Sequence, residues 1–140
     1  MKRPSIHSND AKLELLARVP LFSSLRKQDL RRIAALADEL DLPAGRTLTA
    51  EGEPGREFVV LVDGHAEVRR EGRRINVLDG GDFLGEIALV SDGPRTATVI
   101  TTTPTRILLV TARDFRALMR ELPAMRRKVL ATAALRLAFD

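Results

Sequence analysis

The chain has 140 residues, 44% of them hydrophobic and 30% charged, which fits one domain with a real core. It has no cysteine and two histidines, His7 and His65, so disulfides, zinc–thiolate centres, cysteine nucleophiles and histidine metal clusters are excluded as its chemistry. Its net charge is +4, from 23 Lys+Arg against 19 Asp+Glu, and it contains no Trp or Tyr.

Residues 1–9 read as a mobile tail that lacks the apolar stretch of a signal peptide. From Asp10, a candidate N-cap, Leu13, Leu16 and Val19 recur at helical spacing, and Pro20 closes the segment. A second helix is expected from about Arg26 to Leu40. Leu30, Ile33, Ala37 and Leu40 form its stripe, with Arg31, Arg32, Asp38 and Glu39 off it.

At Leu42-Pro43-Ala44-Gly45 the period changes. Short strands are expected at Arg46–Ala50, Phe58–Val62, Ala66–Arg70, Ile75–Leu78, Thr96–Thr102 and Thr105–Thr111. Between them lie turn signals: Glu51-Gly-Glu-Pro-Gly55, Asp63-Gly64, Glu71-Gly72 and Asp79-Gly80-Gly81. The last thirty residues turn helical again. Phe115, Leu118, Met119 and Leu122 make one apolar set, Pro123 suits the first turn of a new helix, and Met125, Val129, Ala133 and Leu137 recur every fourth residue. The expected fold is α+β, mainly β: an antiparallel eight-stranded, jelly-roll-like β-roll over 44–111. Helices over 10–40 precede it and two C-terminal helices over 112–138 follow.

The chemistry concentrates in residues 80–99. Gly80, Gly81 and Gly85 permit backbone paths closed to other residues. A turn beginning after Gly85 directs free N–H groups outward, and such groups bind anions. Pro94 stiffens the approach to Arg95, whose planar fork of donors matches phosphate oxygens. Thr96, Ala97 and Thr98 leave room beside it. Glu86 repels a phosphate unless it has its own task, and accepting a sugar hydroxyl is a natural one. A bland reading competes: Arg95 and Glu86 simply pair with each other.

The stretches Gly85-Glu-Ile-Ala-Leu89 and Pro94-Arg-Thr-Ala-Thr-Val99 resemble the phosphate-binding cassette of the cyclic nucleotide-binding domain family. Glu51-Gly52-Glu53, Asp63-Gly64 and Gly80-Gly81-Asp82-Phe83 fall where that family has its barrel turns, so the resemblance covers about residues 10–140. It implies a ligand, cAMP or cGMP, and a short phosphate-binding helix. Arg95 would pair with the cyclic phosphate, and Glu86 would accept from the ribose 2′-hydroxyl. The backbone at Gly85, Ile87 and Ala88 would line phosphate and ribose, and Thr96 would contact phosphate or base. The last helix would be a lid, and alignment without gaps from Arg95 places its purine-capping arginine at Arg136.

The implied function is a cyclic nucleotide sensor with no catalysis of its own, signalling to a partner or fused effector of unknown identity, with homodimerisation as a further option. Alternatives are a degenerate, ligand-free interaction module, or a fragment of a DNA-binding regulator of the catabolite-activator type. The chain ends at Phe139-Asp140 without a helix-turn-helix. Scattered Arg-Arg pairs (31–32, 69–70, 73–74, 126–127) without stacking aromatics speak against nucleic acid as partner. With no apolar run long enough to span a bilayer, a cytoplasmic location is expected.

Overall fold

A computed structural model describes residues 9–86 and 94–139. Helix α1 (Asn9–Ala17) starts one residue before the expected cap. Pro20 then does more than end it: it opens a 3-10 turn, Pro20–Phe22, that buries Leu21 and Phe22. Helix α2 (Lys27–Leu36) carries Leu30 and Ile33 inward, as their spacing requires.

The helix does not run to Leu40, and the roll does not begin at residue 44. Ala37 turns to extended backbone, with φ −89° and ψ 137°, and strand β1 (Asp38–Leu42) follows. The i, i+3, i+7, i+10 spacing of Leu30, Ile33, Ala37 and Leu40 is formally helical. Pairing decides otherwise: β1 lies antiparallel to β8 (Thr105–Thr111), with Leu40 opposite Ile107. Such long-range ladders override local propensity.

The remaining strands are β2 (Thr47–Thr49), β3 (Glu57–Asp63), β4 (His65–Arg70), β5 (Arg73–Asp79), β6 (Phe83–Leu84) and β7 (Thr98–Thr101). They form two four-stranded antiparallel sheets, ordered β1-β8-β3-β6 and β2-β7-β4-β5. Strand β6 lies where the sequence pattern predicts only a turn. It is two residues long and pairs with Val59 and Val60, too short for a period to show.

The first sheet is buried on both faces, which explains the unbroken apolar run at residues 58–62. Phe58, Val60, Leu108 and Val110 face the helices, where Phe58 stacks on Phe115 at a centroid distance of 4.5 Å. Val59, Leu61, Leu84 and Ile107 face the second sheet and meet Ala66, Val68, Leu78, Ala97 and Val99. Burying each such large side chain contributes roughly 1.5–3 kcal/mol.

Helix α3 (Ala112–Glu121) is capped by Thr111, whose hydroxyl accepts from Asp114 N at 3.2 Å. Leu122, with φ −120° and ψ 85°, breaks the helix, and α4 (Pro123–Phe139) sets off from Pro123. Met125, Val129 and Ala133 are buried as their four-residue recurrence demands. Lys128 reaches from α4 to the 3-10 turn, donating to Pro20 O at 2.7 Å and Ser23 Oγ at 3.2 Å. The N-terminal helices and α4 thus share one seam. Of the expected tail, Asn9 belongs to α1, while residues 1–8, the Leu137 side chain and the phosphate-binding turn after Glu86 lie outside what the structure describes.

Candidate functional site

Between the second sheet, the β6 end and α4 lies a narrow recess of about 50 Å³, with α4 across its mouth. Gly85, Glu86, Arg95, Thr96 and Arg136 all line it, so the fold gathers five of the seven residues singled out in the sequence. The other two, Ile87 and Ala88, lie outside the described residues.

Arg95 is placed by backbone on both sides. Its N–H donates to Glu53 O at 2.8 Å, and its carbonyl accepts from Gly52 N at 2.9 Å. The loop 51–55, legible in the sequence as a turn, is therefore the clamp that holds the arginine. Its side chain is buried at 8% exposure. Nη2 donates to Glu57 O at 2.5 Å, whereas Nη1 is buried and has no hydrogen-bond partner among the described residues. Burial pulls the guanidinium below arginine's ordinary pKa, and the charges of Glu57 and Glu86 oppose that pull. A buried cation with an unused donor is costly, and native proteins pair such groups. The orphaned Nη1 is what an anion arriving in the recess would satisfy.

Gly85 is required by geometry. Its φ is +94°, and a Cβ would collide with Arg95 Nη1 and approach Glu57 O to 2.6 Å. The glycine lets the guanidinium lie flat against the main chain.

Glu86 is 1% exposed, and it does not pair with Arg95. Arg136, arriving from α4, donates through Nη1 to both carboxylate oxygens at 2.5 and 2.7 Å, and through Nη2 to Phe83 O at 2.6 Å. Its guanidinium also lies 5.3 Å from the Phe83 ring centroid. Burial raises the Glu86 pKa above the ordinary carboxylate value, and Arg136 opposes that shift. The bland expectation of an Arg95–Glu86 pair therefore fails because a second arginine takes the carboxylate. Arg136 was expected over a base; here it sits on the carboxylate itself.

The wall of the recess includes residues the sequence reading missed. Glu57 acts through its carbonyl, which no side-chain pattern reveals. Arg70 and Asn76 line the β4–β5 side together with Val68 and Leu78. Alternation from the buried Val68 and Leu78 puts both on the inner face, so a period-2 count could have found them. Thr49 Oγ1 closes the floor by donating to Ala97 O at 3.0 Å.

Residues 39–121 match the family model described as the cyclic nucleotide-binding domain. The chain belongs to the cyclic nucleotide-binding domain family. Among curated relatives, a cAMP-dependent protein kinase regulatory subunit from Aspergillus niger is 35% identical over 106 residues, 74% of this chain and 26% of that protein. A putative potassium channel protein from Rhodopseudomonas palustris is 35% identical over 130 residues, 89% of this chain and 31% of that protein. The chain thus spans about a third or less of either relative's length. In fold, it resembles the regulatory subunit of a cAMP-independent protein kinase A from Trypanosoma brucei, with a TM-score of 0.83 and 17% identity. That likeness covers 90% of this chain and 46% of the other.

Proposed function

We propose that this chain is the ligand-reading part of a cyclic nucleotide sensor, without catalysis of its own. The orphaned, buried Nη1 of Arg95 carries this reading. It meets the cyclic phosphate, helped by main-chain N–H groups from Gly85 through Ala88, and Glu86 accepts from the ribose 2′-hydroxyl. Thr96 stands at the junction of phosphate and base. The ligand is cAMP or cGMP. Relatives named for cAMP dependence favour the first, and the Thr96 hydroxyl is compatible with the second.

The output runs through α4. A ligand moves a conformational equilibrium only through contacts that differ between states. Glu86 is one such contact, since its carboxylate is held by Arg136 and is also the hydroxyl acceptor. An ionised carboxylate has about four lone-pair sites, so it can serve both. Whatever pulls on Glu86 is felt by α4, and through Lys128 by the 3-10 turn. The effector is a fused or separate protein that reads this helical seam.

The test is calorimetric titration with cAMP and cGMP. A charge-assisted hydrogen bond to phosphate is worth about 1.5–3 kcal/mol, so Arg95→Ala should weaken binding about thirtyfold. Equal affinity in wild type and variant overturns the assignment.

A further inference from the structure

We propose that the recess selects guanine over adenine, by presenting hydrogen-bond donors from Arg70 and Asn76 to the O6/N7 edge of the base. This rests on the reading of the recess as a cyclic nucleotide site. With phosphate at Arg95 and ribose at Glu86, the base is directed to the part of the recess they leave open, the β4–β5 wall.

That wall has a definite polarity. Val68 stands directly opposite Asn76 in the β4–β5 ladder, and Ala66 opposite Leu78. Val68 and Leu78 supply an apolar surface for a purine face, and Arg70 and Asn76 supply the polar rim. Arg70 is anchored through Nε, which donates to Thr96 O at 2.9 Å. Among the described residues, its two terminal nitrogens have no partner. Asn76 uses its oxygen locally: Oδ1 accepts from Val77 N at 2.8 Å. That bond fixes which end of the amide is which, and leaves Nδ2 as the open end. Arg70 therefore offers donors only, and Asn76 turns its oxygen toward its own main chain and presents Nδ2 outward.

Purines differ in what they ask of such a wall. Guanine presents two adjacent acceptors, O6 and N7. Adenine presents N7 as acceptor but N6 as a donor. A donor-only rim satisfies both guanine atoms. Against adenine it sets donor against donor and leaves the amine without a protein acceptor. A carboxylate in place of either side chain would reverse the preference.

The experiment measures dissociation constants for cAMP, cGMP and cyclic IMP, which keeps O6 and N7 but lacks the 2-amino group. Wild type should bind cGMP about tenfold more tightly than cAMP. Cyclic IMP should side with cGMP, because the edge being read is O6/N7. Arg70→Met and Asn76→Leu should each shrink the cGMP-to-cAMP preference about threefold or more, with circular dichroism showing an intact fold. Asn76→Asp, which offers an acceptor in place of the amide donor, should move the preference toward cAMP. Equal or tighter binding of cAMP overturns the proposal. So does cyclic IMP that behaves like cAMP, or a preference that survives both truncations. These outcomes leave the nucleotide site itself standing. Failure of wild type to bind any of the three removes the site reading, and this proposal with it.

Discussion

Arg136 on α4 grips both oxygens of Glu86 across 50 residues of sequence, at 2.5 and 2.7 Å. The contact joins the acceptor expected for a ribose hydroxyl to the helix expected to move. The ion pair is almost fully buried on the Glu86 side and partly exposed on the Arg136 side, at 1% and 18% side-chain exposure. Breaking such a pair from one side leaves the other charge unmatched.

Arg136→Gln should therefore uncouple α4 from the site. In wild type, cyclic nucleotide is expected to slow amide exchange over residues 124–136. In the variant, the ligand should still bind through Arg95 and Gly85, but the slowing should vanish. Hydrogen exchange with and without ligand checks this, and undiminished slowing in the variant would remove Arg136 from the relay.

Glu86 sets a pH dependence. Its pKa is raised in the folded protein, chiefly by burial. Between the unfolded and folded values the folded state binds more protons, so its stability falls as pH rises through that window. Glu86→Gln has no such loss. Melting temperatures of the two proteins should converge at acidic pH, where Glu86 is protonated. Toward neutrality they should separate in favour of the glutamine variant. A gap that widens on acidification contradicts the assignment.

Arg95 is expected to trade stability for binding. Among the described residues its buried Nη1 has no partner, and desolvation lowers the guanidinium's pKa. Replacing a poorly satisfied buried charge by an apolar side chain of similar length is often neutral or stabilising. Arg95→Met should melt at or above the wild-type temperature while losing cyclic nucleotide affinity. A large drop in melting temperature would mean that the guanidinium is structural.

Gly85→Ala should be destabilising even without ligand. The added Cβ meets Glu57 O at 2.6 Å, and φ +94° is unfavourable for alanine. The cost is about 1–3 kcal/mol for a strained backbone position. Urea unfolding measures it. Gly45→Ala serves as reference: its φ is +84°, but a Cβ there meets nothing within 4 Å, so it should cost less.

Much of this molecule follows from local chemistry. The turn residues at Asp63-Gly64 and Glu71-Gly72 fix the hairpins around β4: Gly64 has φ +110°, and Glu71 and Gly72 both have positive φ. The spacing of Met125, Val129 and Ala133 fixes the buried face of α4. The ordered set of Gly85, Glu86, Arg95 and Thr96 carries the resemblance to the family, and the fold brings all four to one recess. Those signals act over a few residues, so a linear reading finds them.

Other features depend on partners far along the chain. Asp38–Leu40 could extend a helix by periodicity, and becomes strand because β8 offers a ladder some 70 residues later. Arg95 is left with an open nitrogen only because the Glu57 carbonyl takes the other one. Glu86 is bound by Arg136, not by the arginine nearest in sequence, because α4 folds back across the mouth of the recess. Local sequence sets torsions and periodicity. Which charges meet, and which donor stays unpaired, is settled by packing, since burial and distance exist only after the sheets and α4 have closed on one another.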